Sequence, residues 1–308
     1  VYERVEMLAN IVALKKNIII TGSHGKTTTT SLVAKILSEA KLDPTIINGG
    51  VINSIKNNAK LGKGDWAVLE ADESDGSFLK LPINYSVVTN IDKEHLDYYK
   101  NYNNLKNAFS SFIEKTPPIG KTLVCIDNND LKQIIKKIKT KNYLTYGFDK
   151  DSNYQILNAN YELNYSEFDL KIKNVSSKIT FIKNIYLNLM GKHNIMNASA
   201  AISVCLNLGI KPSIIKNALK NYSGVQRRLT KVFQKNKIEF YDDYAHHPTE
   251  IKSVLEGIKK ISKERKIIVI FQPHRYSRIK ILKKEFSSCF KNADIVILCP
   301  VYAAGEKK

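Results

Sequence analysis

Apolar positions along this chain follow two periods that take turns. Short β-branched and aromatic runs at 17–21, 45–50, 65–69, 85–90 and 121–126 read as buried strands. Stretches with helical spacing lie between them. Leu32, Val33, Ile36 and Leu37 mark one, 102–114 and 129–139 mark two more, and Met7, Leu8, Ile11, Val12 and Leu14 mark a short amphipathic helix within 1–15. Strands alternating with helices predict a mostly parallel sheet. Residues 152–190 break the pattern with short alternating runs, which predicts a small antiparallel sheet inserted or appended at the edge. The run at 45–50 is read as a strand ending in a glycine turn. A long apolar helix from 191 through Leu208 and a shorter one at 213–221 follow, separated by Gly209 and Pro212. The segment 223–228 reads as a hinge. Beyond it, strands at 231–235 and 238–242, helix 248–260, strand 267–271, helix 277–287 and strand 294–299 begin a second α/β unit. The expected domains are therefore 1–222 and 223–308.

The first strand runs into Gly22-Ser23-His24-Gly25-Lys26-Thr27-Thr28 and then a helix. Strand, tight glycine turn and helix N-terminus build an anion cradle, because successive backbone N–H groups and the helix dipole point at one place. Lys26 adds a charge for terminal phosphates, and the Thr27 hydroxyl suits Mg²⁺. The longer phosphate-loop pattern would require glycine where Ile20 stands, so the match is the shorter one. A P-loop-type nucleotide-binding domain is expected.

Three further clusters belong with it. The 65–69 strand runs out into Glu70, Asp72, Glu73 and Asp75, placing carboxylates where a metal-nucleotide site needs them; a solvated acidic loop is the alternative. His95 follows the 85–90 strand, as either a metal ligand or a structural histidine. Asn194 and Asn197 share one face of a helix's first turn, where capping accounts for one of them and base or ribose contact for both. The second unit carries two more clusters between strands and helices: Asp242-Asp243-Tyr244-Ala245-His246-His247-Pro248-Thr249-Glu250 and Gln272-Pro273-His274-Arg275-Tyr276-Ser277-Arg278. All six histidines and four of the six arginines fall in these clusters or the 223–228 hinge, so the chemistry is organised rather than scattered.

Composition narrows the partners. The 308 residues carry a formal charge of +19, but the excess is lysine spread along the chain. A nucleic-acid groove would gather arginine and aromatics on one element, so nucleic acid is not expected as the partner. No run of about 18 apolar residues exists, so no membrane span is expected. Cys125, Cys205, Cys289 and Cys299 are far apart, which suits reduced thiols in the cytoplasm.

Taken in order, these motifs resemble those of the Mur ligases, the ATP-dependent amide-forming enzymes of peptidoglycan precursor synthesis. The resemblance runs from Gly22–Thr29 through Glu70–Asp75 with Ser77-Phe78-Leu79, Thr89–His95, His193–Ala198, Arg227-Arg228 and the two histidine clusters, and covers nearly the whole chain. It implies a central ATPase domain with a mostly parallel sheet and a small antiparallel addition, followed by a partial Rossmann-like α/β domain. The implied reaction joins L-alanine to the carboxylate of UDP-N-acetylmuramate through an acyl phosphate, with ATP and Mg²⁺.

By the same resemblance Gly22, Ser23, His24, Gly25, Lys26, Thr27 and Thr28 hold the phosphates. Thr27 and Glu70 take one Mg²⁺ and His95 a second, while Asn194, Asn197 and Asp243 contact the nucleoside. Arg228 reaches the γ-phosphate. His246, His247, His274, Arg275 and Arg278 lie near the incoming amino acid, whose carboxylate suits a guanidinium. Lys26, His95, Arg228 and His247 are the expected catalytic set, and closure of the two domains is expected to assemble it. The family carries an N-terminal UDP-sugar domain and a longer C-terminal domain, so the chain is expected to be a fragment. A peptide-recycling ligase acting on the same UDP-sugar and a switch-type NTPase are the rival readings. The latter leaves the asparagine, histidine and arginine clusters without work.

Overall fold

The structure, a computed structural model, describes residues 2–162, 164–173, 179–262 and 265–306. It divides into two compact units, one of Val1–Asn160, Ser166–Leu189 and His193–Gln226, the other of Tyr161–Tyr165, Met190–Lys192 and Arg227–Lys308.

In the first unit the order is α1 (Arg4–Val12), β1 (Lys16–Thr21), α2 (Lys26–Glu39), β2 (Thr45–Ile52), β3 (Asn57–Lys60) and β4 (Trp66–Glu70). A 3₁₀ turn at Ser77–Lys80 leads to β5 (Tyr85–Val88), α3 (Leu96–Tyr99), α4 (Tyr102–Glu114), β6 (Lys121–Cys125), α5 (Asn129–Lys137) and β7 (Tyr143–Gly147). Then come β8 (Tyr154–Tyr161), β9 (Ser166–Lys173), β10 (Ile179–Leu187), α6 (Lys192–Asn207) and α7 (Pro212–Lys220). Among the described residues the strands form one sheet in the order β10-β9-β8-β7-β6-β5-β1-β4-β2-β3.

The middle of that order is parallel, and β1 lies between β4 and β5 with Ile20 opposite Glu70 and Thr21 opposite Val88. This register brings the three strand exits to one edge, which is where an α/β sheet places its ligands. β1 is buried from Asn17 to Thr21, as a central parallel strand must be. Ile18, Ile19 and Ile20 are fully buried, as are Leu32, Val33, Ile36 and Leu37 of α2. Under α4, Phe78 packs between Phe109 and Phe112, with ring centroids 5.4 and 5.1 Å away.

The α4 boundary read from the sequence coincides with the structure, and its start has a visible cause. The Asn101 side chain accepts from the Asn104 amide at 2.9 Å, capping a first turn that otherwise has free N–H groups. Replacing Asn101→Ala is expected to cost about 1 kcal/mol of unfolding free energy, read by urea titration.

One sequence expectation needs correcting here. β2 does not stop at its glycines; it runs through Gly49 and Gly50 to Ile52 and pairs antiparallel with β3. The glycines serve close approach there, not a turn. The small antiparallel addition expected at the edge is present: β9 and β10 are antiparallel to each other, and β8, which pairs parallel with β7, continues the main sheet toward them.

The second unit contains β11 (Thr230–Lys235) and β12 (Ile238–Asp242) as an antiparallel ribbon, then α8 (Pro248–Ser262) and β13 (Ile268–Phe271). The helix expected at 277–287 is two, α9 (Tyr276–Ile281) and α10 (Lys283–Cys289), because buried Leu282 leaves helical geometry at φ −107°, ψ 26°. β14 (Ile295–Leu298) pairs parallel with β13. Ile251, Leu255, Ile267, Phe271 and Cys289 form the core, with Phe286 and Phe290 packed against it.

No helix among the described residues is long and apolar enough to cross a membrane. All four cysteines are unpaired, and burial pushes the thiols of Cys125, to about 12, and Cys289, to about 11, well above their usual range.

Candidate functional site

The loop from Gly22 to Thr27 is shaped by two glycines at positive φ, +129° at Gly22 and +83° at Gly25, the latter starting α2. What holds the loop is the exit of β5. The Ser23 amide donates to the Asn90 carbonyl at 3.1 Å, and the His24 amide donates to Asn90 Oδ1 at 2.8 Å. The His24 carbonyl accepts from Thr89 Oγ1 at 2.6 Å and Asn90 Nδ2 at 3.0 Å. The Asp92 amide donates to Ser23 Oγ at 2.9 Å, and His24 Nε2 lies 3.0 Å from Asp92 Oδ2. Thr89 and Asn90 thus pre-shape the cradle, a role the sequence reading did not give them.

Lys26 donates to the Gly22 carbonyl at 2.7 Å and to Glu73 Oε2 at 2.8 Å. Burial opposes its charge, but Glu73, with Asp72 and Glu70 behind it, outweighs that and holds the ammonium above the ordinary lysine range. Glu73 is fully buried. Its backbone carbonyl accepts from the Tyr99 hydroxyl at 2.5 Å. Its second oxygen, Oε1, accepts no hydrogen bond among the described residues and lies 3.7 Å from His95 Nε2. His95 has φ +55° at the start of α3.

The expected residues therefore sort differently. Thr27 Oγ1 donates to Glu70 Oε1 at 3.0 Å, so these two are together as the resemblance implies. His95 is grouped with Asp72 and Glu73, whose ligand atoms and its own lie within 4.8 Å of one another. Glu73 was missed as an individual site residue. Four acids in six positions advertise a site, but only the fold shows that Glu73 turns inward while Asp72 and Asp75 stay exposed.

Asn197 closes the cradle from α6. A Cβ on Gly25 would sit 2.4 Å from Asn197 Oδ1, so glycine there leaves room for this amide. Asn197 Nδ2 donates to Asn194 Oδ1 at 3.3 Å, and both asparagines therefore stand at the phosphate loop. The Thr28 hydroxyl lies within a buried threonine run of α2.

The residues present fit a metal-bound nucleoside triphosphate. A buried carboxylate oxygen without a donor, a lysine at the loop and a glycine cradle are what a cation and a polyphosphate would use.

In the second unit Asp243 is half-buried, and both its oxygens accept backbone amides, from Leu229 at 2.7 Å and Ala245 at 2.8 Å. Burial raises its carboxyl pKa despite those bonds. The bonds tie the loop that carries Arg227 and Arg228, whose guanidiniums lie 4.8 and 5.6 Å from the Tyr244 ring. His247 is buried, and its Nδ1 accepts from the Thr249 amide at 3.3 Å. Arg278 Nη1 donates to the His274 carbonyl at 3.2 Å and meets His274 Nδ1 at the same distance. The rings of His246 and His274 are 6.0 Å apart, and Arg275 begins α9 with its side chain exposed. His246, His274 and Arg278 are thus one cluster.

His246 Nδ1 lies 3.0 Å from the Tyr244 carbonyl, which accepts only; Nδ1 therefore carries the proton and Nε2 is bare when the ring is neutral. Burial pushes its pKa down to about 4. In the unfolded chain the ring takes a proton near its ordinary value of about 6.5. The unfolded state then binds more protons between pH 6.5 and 4, so the stability His246 contributes is complete above 6.5 and falls as pH drops through that window. Denaturant midpoints at pH 7.5 and 4.5 are expected to differ less in His246→Gln than in the parent; an unchanged difference would sink the assignment.

Comparison with known proteins gives two family matches. Residues 20–205 match the Mur ligase middle domain, and residues 227–308 match the Mur ligase, glutamate ligase domain. The chain is 58% identical over 307 residues to a UDP-N-acetylmuramate–L-alanine ligase of Pelagibacter ubique and 44% identical over 306 residues to one of Brucella anthropi. It aligns along 100% and 99% of its own length and spans 66% and 65% of theirs. The crystal structure of the UDP-N-acetylmuramate-alanine ligase MurC from Thermotoga maritima superposes with a TM-score of 0.81 at 28% identity, covering 97% of this chain and 65% of that one. A murein peptide ligase from Psychrobacter arcticus shares the fold, with a TM-score of 0.70 at 22% identity over 96% of this chain and 65% of its own.

Proposed function

The chain belongs to the Mur ligase family, and we propose that it carries the ATP-handling and amino-acid-handling parts of a ligase joining L-alanine to UDP-N-acetylmuramate. The observation that carries this reading is the convergence of Lys26, Thr27, Glu70, Glu73 and His95 at one sheet edge, in a chain 58% identical to a relative of that name.

A free carboxylate is a poor electrophile, so the γ-phosphate of ATP is transferred to it first and the amine displaces phosphate, leaving amide, ADP and phosphate. The protein's share is alignment and charge neutralisation. Lys26 exchanges Glu73 for the β- and γ-phosphate oxygens. Thr27 and Glu70 would hold one Mg²⁺ and His95, with Glu73 Oε1 3.7 Å away, a second, which would supply positive charge for the polyphosphate. Asn194 and Asn197 contact the nucleoside.

In the second unit Arg228 serves the γ-phosphate and Asp243 fixes its loop and meets the ribose. His246, His247, His274, Arg275 and Arg278 receive the amino acid, whose carboxylate suits a guanidinium. Unpaired buried thiols suit a cytoplasmic site of action.

Mass spectrometry of the products tests the reading. With the protein at its natural length, ATP, Mg²⁺, UDP-N-acetylmuramate and equal amounts of L-alanine and the tripeptide L-alanyl-γ-D-glutamyl-meso-diaminopimelate, the L-alanyl amide is expected to dominate. The tripeptide amide alone would make the chain a peptide ligase, and neither amide would remove the ligase reading.

A further inference from the structure

We propose that Glu306 is a positioning residue for the amino-acid cluster, acting through Ser277 to fix the turn that presents His274 and Arg278. The inference rests on the proposed function above, in which that cluster receives L-alanine. Glu306 Oε2 accepts from the Ser277 amide at 3.0 Å, and Oε1 accepts from the Ser277 hydroxyl at 2.5 Å. Ser277 lies in the first turn of α9, whose N-cap residue, Arg275, makes no side-chain cap of its own. First-turn N–H groups have no partner inside a helix. The carboxylate therefore caps α9 from a point 29 residues further along the chain, with the sign of charge that a helix start favours.

The turn needs holding because its backbone is strained. Arg275 has φ +71° and ψ 132°, and a non-glycine residue keeps such a conformation only where its surroundings impose it. The segment 302–306 imposes it. The Arg275 amide donates to the Tyr302 carbonyl at 2.9 Å, and the Tyr302 amide donates to the Pro273 carbonyl at 2.8 Å. The Tyr302 ring lies 5.4 Å from that of His274. The chain then bends at Ala304 and Gly305, φ +50° and +86°, and the Glu306 amide closes the bend on the Ala303 carbonyl at 3.0 Å. That bend carries the Glu306 carboxylate back to α9. Beyond the cap, Arg278 Nη1 meets the carbonyl and Nδ1 of His274, both at 3.2 Å. Where α9 begins thus decides where this guanidinium points, and a planar fork grips a carboxylate only when it is correctly oriented.

Steady-state kinetics of amide formation by the protein at its natural length test this. The proteins compared are the parent, Glu306→Ala, Glu306→Gln, Ser277→Ala and the double variant Glu306→Ala with Ser277→Ala. Glu306→Ala is expected to raise KM for L-alanine about five- to tenfold, the scale of one lost helix cap. Its kcat, and its KM for ATP and for UDP-N-acetylmuramate, are expected to stay within about twofold, since only amino-acid binding is disturbed. Glu306→Gln is expected to keep most of the parent affinity, because its amide still offers an oxygen to the Ser277 N–H and a donor to the hydroxyl. Ser277→Ala is expected to raise the same KM about threefold in the parent and under about 1.5-fold in the Glu306→Ala background. An unchanged KM for L-alanine in Glu306→Ala overturns the inference, as does a parallel rise in all three KM values, the mark of a general loss of structure. A loss in Glu306→Gln as large as in Glu306→Ala overturns it too, because charge rather than position would then matter. So do additive losses in the double variant, which would bypass Ser277. If Glu306→Ala does not fold, Ser277→Ala carries the test, and an unchanged KM for L-alanine there overturns the inference. A parent that forms no L-alanyl amide removes the proposed function and the inference together, whereas a parent that forms it, with variants that match it, removes the inference alone.

Discussion

Lys26→Ala is expected to lower ATP-dependent turnover by about 10²–10³-fold, and to destabilise the first unit as well. The catalytic loss follows from removing a charge that meets the transferring phosphoryl group, where one well-placed donor is worth about 10²–10³ in rate. The stability loss has a separate origin. Glu73 is fully buried and its ion-pair partner is Lys26 at 2.8 Å, so the variant strands a carboxylate in the interior. Breaking a buried pair from one side costs about 3–5 kcal/mol. Lys26→Ala combined with Glu73→Gln is therefore expected to recover much of the stability and none of the activity. Urea midpoints and phosphate release on the parent and the two variants check this, and recovery of both together would refute the separation.

Gly22→Ala is expected to be nearly as damaging, through backbone alone. The residue sits at φ +129°, and a Cβ there would lie 2.1 Å from Thr89 Oγ1 and 2.9 Å from the Asn90 carbonyl. Thr89 cannot yield freely, because its hydroxyl bonds the His24 carbonyl of the same loop. Strain of about 1–3 kcal/mol and overpacking of similar size add to a loss of roughly 3 kcal/mol or more. Gly209→Ala is the matched control. It also has positive φ, +79°, but nothing lies within 4 Å of its Cβ position. Its cost is expected to be about 1 kcal/mol, and equal melting losses in the two variants would contradict the steric argument.

Much of this fold is legible in the sequence because buried parallel strands announce themselves as apolar runs. Lys121–Cys125 and the helix Tyr102–Glu114 appear within a residue of their expected bounds. The phosphate loop is legible for a related reason: its glycines, Lys26 and Thr27 are local chemistry in one short stretch. Pairings across the sheet are not. Nothing in the spacing of Glu70, Asp72, Glu73 and Asp75 says that Glu73 reaches Lys26, since that depends on β1 and β4 being neighbours in register. Gly49 and Gly50 read as a turn because glycine breaks strands more often than it fills them. Only the positions of Glu70, Thr27 and Val225 show why side chains are excluded there. The same holds for Gly25 and Asn197, separated by most of the first unit yet in contact.

The central claim is that ATP cleavage here is coupled to making an amide. Phosphate release by the protein at its natural length, with ATP and Mg²⁺, tests it most directly, measured with UDP-N-acetylmuramate alone, L-alanine alone, both, and neither. Release only when both are present, and lost in Lys26→Ala, is the predicted result. Release at the same rate in all four mixtures would contradict it, because the site would then hydrolyse nucleotide without any acceptor.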